Sequence, residues 1–335
     1  MGKSKSDITS ESKLLCKSLL EEDQPVPENS LFREDSFEST CQKIHNRNEA
    51  RVIQDIARLI VPSAESLASL GAIHLDNLVE SVNEGWNNSQ PLTGTRPQPD
   101  YSVGFQREAF TDNQLAKLSP FLGDVAASDL SLLMGTHYMY LPFLASEVKC
   151  GAAGLEIADR QNAHSMVLAA RGIVELFRLV KREDEVNRQI LSFSISHDNK
   201  SVRIYGYYPV INGKDTKYYR HPIHDFSLTT LDGKDKWTAY RFTKNVYDLW
   251  MPGHFERICS AIDQLPTETG SVPAVPGSTG LSQALEGLAQ SEANSASVLV
   301  DEDSQSHDAG EMGSPATLFS NAGSSKKRKT PANES

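Results

Sequence analysis

The sequence Tyr-Met-Tyr-Leu-Pro-Phe-Leu-Ala-Ser-Glu-Val-Lys occupies residues 138–149, and this segment governs the architecture more than any other. Its aromatic and aliphatic side chains favour an extended strand. Pro142 cannot donate a ladder hydrogen bond, so we expect an edge or a bulge at the start of that strand. A turn of small residues follows at 150–154, and residues 155–181 have the apolar spacing of a long helix. The segment therefore predicts a strand that turns directly into a helix.

The flanking sequence predicts further elements around that unit. Asn48 is a suitable N-cap for a helix that begins at Glu49 and stops at Pro62. A weaker helical pattern covers residues 75–86, and a loop rich in proline and glycine follows at 91–99. The remaining predicted elements are a strand at 100–105, a helical or irregular insertion at 111–135, an antiparallel meander of three strands at 189–196, 201–210 and 217–228, and helices at about 238–250 and 252–265. We therefore expect an α/β fold in which a mixed sheet packs on helices.

Composition divides the chain into three parts. Residues 1–35 are rich in Ser, Glu, Asp and Lys, and residues 266–335 are rich in Ser, Gly, Ala, Pro and acidic residues, with Phe319 as their one aromatic residue. Such compositions bury too little apolar surface to offset the conformational entropy of the chain. We therefore predict disordered N- and C-terminal tails at 1–35 and 266–335, on either side of one domain at 36–265.

Charge and cysteine usage limit the class of protein. The net charge of −11 is carried by the two flanks, because residues 95–265 contain equal numbers of basic and acidic side chains. An acidic chain of this kind does not exclude a nucleic-acid partner. The four cysteines are far apart and form no C-x-x-C pair, which argues against a zinc site or a disulfide framework. No apolar run has the length of a membrane span, so we expect no membrane partner and a nuclear or otherwise cytoplasmic protein.

Three side chains near the central strand could carry chemistry. Glu147 and Lys149 are two residues apart on the predicted strand, so they share one face, while Val148 faces the packed side. If the strand that follows Asp100 lies beside this one, two carboxylates and one amine meet. Two carboxylates can hold a hard cation such as Mg²⁺, which activates water and stabilises charge on a phosphate. Phosphodiester hydrolysis needs these elements; the alternative is that Glu147 and Lys149 form an exposed pair on one strand face and that Pro99-Asp100 is a turn.

The motif Pro99-Asp100 followed by Glu147-Val148-Lys149 resembles the signature of the PD-(D/E)XK superfamily, which includes restriction endonucleases, DNA-repair nucleases and Holliday-junction resolvases. The resemblance covers about residues 49–200. It implies a restriction-endonuclease-like core of order α-β-β-β-α-β, with the aspartate and the Glu-x-Lys motif on adjacent strands. Residues 99–265 also resemble a family of uncharacterised fungal domains.

The nuclease resemblance implies a role for each site residue. Asp100 and Glu147 would be the metal ligands, Val148 would offer its backbone carbonyl, and Lys149 would act on the attacking water. Glu49 on the leading helix and Gln161 on the following helix would support the site. The cofactor would be Mg²⁺ and the partner a DNA or RNA strand. The alternative is a catalytically inactive domain of the same fold that binds proteins or nucleic acid in the nucleus.

Other clusters have a structural and a functional interpretation. A stripe on the helix after Lys149 could follow a nucleic-acid backbone, or it could be a solvated face in which Glu175 pairs with an arginine; its members are Arg160, His164, Arg171, Glu175, Arg178 and Arg182. Arg203, Tyr205 and Tyr207 on the meander could stack bases or could simply pack. His221 and His224 lack a third ligand at a metal spacing, so we do not expect a zinc site.

A basic cluster stands near the end of the acidic C-terminal segment. It consists of Lys326, Lys327, Arg328 and Lys329, and the rest of residues 266–335 contains no Lys or Arg. Clusters of this kind are typical of nuclear-import signals. We therefore expect recognition by a nuclear import receptor and a nuclear protein.

Overall fold

The computed structural model describes residues 7–92, 94–122, 130–150 and 154–266. The chain divides into two units, residues 1–269 and residues 270–335, and every described residue belongs to the first. The tail expected at 266–335, with its basic cluster, therefore lies outside the described residues in all but its first position.

A mixed sheet of six strands forms the centre of the unit, and strands that follow one another in the chain are neighbours in the sheet. The strands are β1 (Leu78–Val82), β2 (Tyr101–Phe105), β3 (Tyr140–Val148), β4 (Ser192–His197), β5 (Ser201–Asn212) and β6 (Asp215–Ser227). All adjacent strands are antiparallel except β3 and β4, which are parallel. The expectations of a mixed α/β sheet and of an antiparallel meander, here β4 to β6, are confirmed.

Strand β3 lies in the interior of this sheet, and each of its residues is buried. The expected irregularity at Pro142 is a bulge rather than an edge, because the β2–β3 register shifts between Val103 and Phe105. Leu141 has φ 44° at this point. A Cβ atom on Gly104 would approach the Tyr140 carbonyl oxygen to 2.7 Å, so only glycine fits opposite the bulge.

Helices cover both faces of the sheet. They are α1 (Ser10–Glu21), α2 (Phe37–Ile44), α3 (Glu49–Val52), α4 (Arg58–Ile60), α5 (Ala64–Ser69), α6 (Asp112–Leu122), α7 (Leu155–Leu179), α8 (Thr238–Asn245) and α9 (Met251–Ile262). Two π-helical turns, Ile53–Ala57 and Val246–Trp250, make α3 continuous with α4 and α8 continuous with α9. The long α7 is the crossover that parallel strands such as β3 and β4 require. Among the described residues, none of these helices has the length and apolarity needed to cross a lipid bilayer.

Strand β1 replaces the helix expected at residues 75–86. Its five residues pair with β2 along their whole length, and Leu78 and Ser81 are buried. The sequence pattern of residues 75–86 is weakly helical, but β2, the strand with which β1 pairs, lies some twenty residues further along the chain. Tertiary pairing therefore overrides a short local preference.

The expectation that residues 1–35 are a disordered tail is wrong for residues 7–35. Helix α1 is capped by the Thr9 side chain, which accepts from the Ser12 amide, and Leu19 is fully buried. Ser12 Oγ donates to Gln189 Oε1 at 2.8 Å, which joins α1 to the segment before β4. An average composition conceals the apolar face of α1, since Cys16 and Leu19 share one side of an otherwise polar helix.

Candidate functional site

The strand register brings Asp100 and Glu147 together. Tyr101 pairs with Ser146 at the end of the β2–β3 ladder, so Asp100, one residue before β2, stands opposite Glu147. Asp100 Oδ2 accepts a hydrogen bond from the Val148 amide at 2.8 Å. The ends of these adjacent strands therefore bring the two carboxyl groups together.

Glu147 is held in an unfavourable environment for a negative charge. Its side chain is only 2% exposed. Burial, the charge of Asp100 and a hydrogen bond between the two carboxyl groups raise the pKa of Glu147 to about 8, while Lys149 lowers it. A hydrogen bond between two carboxyl groups requires a proton on one of them. The pair therefore has an affinity for a proton, or for another cation, at neutral pH.

Lys149 is the cation of this cluster. Its Nζ lies 3.8 Å from Glu147 Oε2 and 3.7 Å from Glu49 Oε2, and it donates to the Val148 carbonyl at 3.0 Å. Glu49 is the first residue of α3 and remains 43% exposed. The amine thus lies between the buried Glu147 and the half-exposed Glu49, rather than between Asp100 and Glu147. Val148 places its side chain in the core and its carbonyl beside Lys149.

Gln161, the expected supporting residue on α7, is exposed. In the described part of the chain, no hydrogen bond or ion pair joins its side chain to Asp100, Glu147 or Lys149. The polar residue that α7 presents to the sheet is the next one, Asn162, which is fully buried. One residue on a helix is a rotation of about 100°, and the spacing of the sequence alone does not fix that rotation.

Asn162 links α7 to the strand beside Glu147. Its Nδ2 donates to the Ile195 carbonyl at 3.1 Å and to Ser196 Oγ at 3.0 Å, and its Oδ1 has no hydrogen-bond partner among the described residues. Ser196 is the register partner of Glu147 across the β3–β4 ladder. Sequence reasoning missed this residue, although a polar side chain on the apolar face of α7 was a signal that could have found it.

His197 also lies at this end of the sheet and was not expected. It is fully buried, and burial lowers the pKa of its imidazole to about 4. Its Nδ1 donates to the Asp198 carbonyl at 3.2 Å, and the Lys149 amide donates to the His197 carbonyl at 3.0 Å. Since His197 pairs with Val148, it shares the packed face of the sheet and holds the end of β3 in place.

The donor set decides which metal the cluster could hold. Across residues 7–92, 94–122, 130–150 and 154–266, no group of three or more His, Cys, Asp or Glu side chains is placed to hold a metal ion. A zinc site closed by protein ligands therefore does not fit the described residues. Two carboxylates with a backbone carbonyl nearby do suit Mg²⁺, which retains several waters and needs one or two protein carboxylates.

The other candidate clusters are engaged in packing. Arg178 pairs with Glu175 at 2.9 Å, which is the pairing that the structural interpretation of the α7 stripe expected, but Arg171 is buried, so the stripe is not a solvated face along its whole length. Tyr207 is fully buried and is hydrogen-bonded to Ser194 at 2.9 Å. His221 lies 3.7 Å from Asp7, whereas His224 stacks on Phe226 with centroids 5.1 Å apart; the two histidines form separate contacts.

Asp159 on α7 anchors the tyrosine-rich meander. Its Oδ2 accepts from Arg203 Nη1 and from the Tyr205 hydroxyl, both at 3.0 Å, and Arg220 Nη1 lies 3.8 Å away. The Arg220 guanidinium lies over the Tyr205 ring at 4.1 Å. These aromatic and basic side chains are thus bound to a buried carboxylate, which favours packing over base stacking.

Comparison with known proteins places the chain in one family. A family model described as a domain of unknown function (DUF7924) matches residues 36–262, and the chain belongs to that family. This agrees with the expected likeness to an uncharacterised domain. No curated protein and no solved structure matches the chain.

Proposed function

We propose that the chain is a Mg²⁺-dependent nuclease of PD-(D/E)XK type, with its site at Asp100, Glu147 and Lys149. One observation carries the proposal: Glu147 is buried against a second carboxyl group, and its pKa is raised to about 8. Adjacent carboxylates repel each other and destabilise the folded chain unless a proton or a metal ion neutralises them. Two carboxyl groups held together at the ends of adjacent strands are typical of a site that binds a cation for function.

The order of elements supports the proposal. The continuous helix α3–α4 is followed by β1, β2, β3, α7 and β4, apart from short additional helices. This is the α-β-β-β-α-β order that the resemblance implies for a restriction-endonuclease-like core. Asp100 and the Glu-x-Lys motif stand on adjacent strands, and α7 begins six residues after Lys149, as that core requires.

Each residue would have a defined task in phosphodiester hydrolysis. Asp100 and Glu147 would hold the ion through carboxylate oxygens, and the Val148 carbonyl, which accepts from Lys149 Nζ, would be a further oxygen ligand. Bound Mg²⁺ lowers the pKa of a water and stabilises negative charge on the phosphate. Lys149, 3.8 Å from Glu147, would orient that water. The water oxygen would bond to phosphorus and release its proton to solvent as the P–O ester bond breaks, and the leaving oxygen would take up a proton from solvent.

Cleavage of mixed nucleic acids tests the proposal. We expect the full chain to cut at least one of duplex DNA, single-stranded DNA and RNA when Mg²⁺ is added. Asp100→Ala, Glu147→Ala and Lys149→Ala should each lower the rate by about 100-fold or more, since each removes a charge needed in the transition state. Glu108→Ala removes an exposed carboxylate elsewhere and should retain the rate.

Two results would contradict the nuclease proposal. One is full activity in all three site variants. The other is an absence of cleavage on every substrate by a folded wild-type chain.

The second candidate is a non-catalytic interaction domain on the same scaffold. It is favoured by the fact that the site residues already have protein partners. Asp100 accepts the Val148 amide, and Lys149 contacts the Val148 carbonyl, Glu147 and Glu49. An intact fold with no cleavage under the assay above would support this candidate instead.

We further propose that the chain acts in the nucleus, through recognition of Lys326–Lys329 by an import receptor. The proposal rests on the sequence alone, because the cluster lies outside the described residues. Replacement of all four by Ala should leave a fluorescently tagged chain in the cytoplasm. Unchanged nuclear fluorescence would contradict the proposal.

A further inference from the structure

A large polar depression opens beside the site. It has a volume of about 910 Å³ and lies between the α2–α3 loop and the β4–β5 turn. Glu49 belongs both to its lining and to the cluster of site residues, since Lys149 Nζ is 3.7 Å from Glu49. A ligand in this depression would therefore extend directly to Asp100 and Glu147.

A second depression continues the first along α2. It has a volume of about 260 Å³ and shares His45, Asn199 and Lys200 with the larger one. Together the two form a trough that runs from Glu49 to Thr229. An extended trough suits a polymer better than it suits a small molecule, which would need an enclosed pocket.

The lining of the trough presents hydrogen-bond donors and unneutralised cations. Arg47 and Lys200 are exposed, and neither has a carboxylate partner in the described part of the chain. By contrast, the acidic groups of the larger depression are engaged: Glu49 lies beside Lys149, and Asp198 Oδ1 accepts the Lys200 and Ser201 amides at 2.6 and 2.7 Å. In the smaller depression Glu38 Oε1 accepts from Gln42 Nε2 at 3.3 Å. The lining thus carries three carboxylates, each with a protein donor or cation beside it, and Arg47 and Lys200 are the cations available to phosphate oxygens.

The chemistry of the lining also limits how a strand would be recognised. His45 is the one ring among the lining residues, and the amides of Asn46, Asn48 and Asn199 provide further polar contacts. A surface that stacks bases needs several aromatic side chains. Contacts in this trough would therefore be made to the sugar-phosphate backbone, which carries no direct sequence information.

We propose that the trough from Glu49 to Thr229 binds the backbone of a nucleic-acid strand, independently of base sequence, with Arg47 and Lys200 as phosphate-binding residues. The strand would pass from the trough to the carboxylates, so this inference deepens the proposed nuclease function and rests on it for the position of the cut. Binding itself does not require cleavage.

Binding without divalent metal tests the trough separately from the chemistry. Fluorescence anisotropy would follow a labelled single strand and the matching duplex, both of mixed sequence, with the full chain in EDTA. Arg47→Ala/Lys200→Ala should raise the Kd about 10-fold and reduce the slope of log K against log salt by roughly 1.5, as expected for the loss of two phosphate contacts. Arg47→Lys/Lys200→Arg should restore binding.

A charge-matched control variant tests whether the loss of binding is specific to cations of the trough. Arg107→Ala/Lys214→Ala removes two exposed cations elsewhere and should leave the Kd within about twofold of wild type. The C-terminal basic cluster contributes equally to every variant. An equal loss in the control, or wild-type binding by Arg47→Ala/Lys200→Ala, would overturn the inference.

A competition with a mononucleotide and a comparison of binding with cleavage complete the experiment. A mononucleotide that competes as well as the strand, at equal phosphate concentration, would show an isolated phosphate site and would also overturn the proposal. Selective loss of binding in Arg47→Ala/Lys200→Ala supports the trough even where wild type does not cleave. If wild type cleaves and Arg47→Ala/Lys200→Ala binds as well as wild type, the nuclease proposal is supported and the proposal that the trough binds the strand is contradicted.

Discussion

Glu147 and Asp159 are both buried carboxylates, 2% and 5% exposed, but their surroundings are opposite. Asp159 accepts hydrogen bonds from Arg203 and Tyr205 at 3.0 Å. Glu147 faces a second carboxyl group and has one amine 3.8 Å away, and its pKa is raised to about 8. The charge of a buried carboxylate that accepts from cationic and hydroxyl donors is compensated in the folded state, whereas a carboxylate placed against another carboxyl group destabilises the fold until a proton or a metal ion binds. Burial of an acidic residue alone therefore does not distinguish a structural role from a functional one.

The largest effect on stability is expected at Asp159. Asp159→Ala leaves Arg203 without its buried partner and should lower the free energy of unfolding by about 3 kcal/mol. This corresponds to a fall of roughly 9 °C in Tm for a domain of this size. Chemical and thermal denaturation would measure the change. A loss below about 1 kcal/mol would mean that Asp159 does not anchor the meander.

Substitution of Glu147 is expected to raise the free energy of unfolding, whereas substitution of Asp159 lowers it. Its pKa in the folded chain lies above the ordinary value of 4.5, so the folded state retains a proton that the unfolded state has lost. Metal-free wild type should therefore lose stability as the pH rises from about 5 to about 8. Glu147→Gln keeps a neutral side chain and should be more stable than wild type at pH 8, by on the order of 2 kcal/mol. Urea denaturation across this pH range would reveal the difference, and a wild-type stability that stays flat would contradict it.

A smaller difference is expected between two neighbours on α7. Asn162→Ala removes donors to Ile195 and Ser196 and should lower the free energy of unfolding by about 1.5 kcal/mol. Gln161→Ala removes an exposed side chain and should change it by less than about 0.5 kcal/mol. Equal losses, measured by chemical denaturation, would contradict an orientation of α7 in which Asn162 faces the sheet and Gln161 faces solvent.

The elements that could be predicted from sequence are those with long and regular patterns. The patterns of the sequence predicted β3 from residues 138–149 and α7 from residues 155–181, and Pro142 indicated an irregularity where the bulge occurs. In the same way, Asp100, Glu147 and Lys149 could be grouped because a strand alternates its faces and adjacent strands bring their ends together.

The missed features depend on contacts between distant residues. Helix α1 was concealed by the polar composition of residues 1–35, although Leu19 is fully buried against the rest of the unit. Strand β1 requires β2 as its partner, and Asp159 meets Arg203 across 44 residues of sequence. No local pattern contains that information, since it arises only when the sheet and α7 are packed together.

The central claim is that the Asp100–Glu147 pair is built to take up a divalent cation, and thermal denaturation with added Mg²⁺ at pH 8 tests it most directly. A ligand that binds only the folded state stabilises it, by about 2.7 kcal/mol at 100 times its Kd. We predict that the Tm of wild type and of Glu108→Ala rises steadily with Mg²⁺ concentration, while the Tm of Glu147→Gln stays constant. A wild-type Tm that does not respond to Mg²⁺, or an equal rise in Glu147→Gln, would contradict the account.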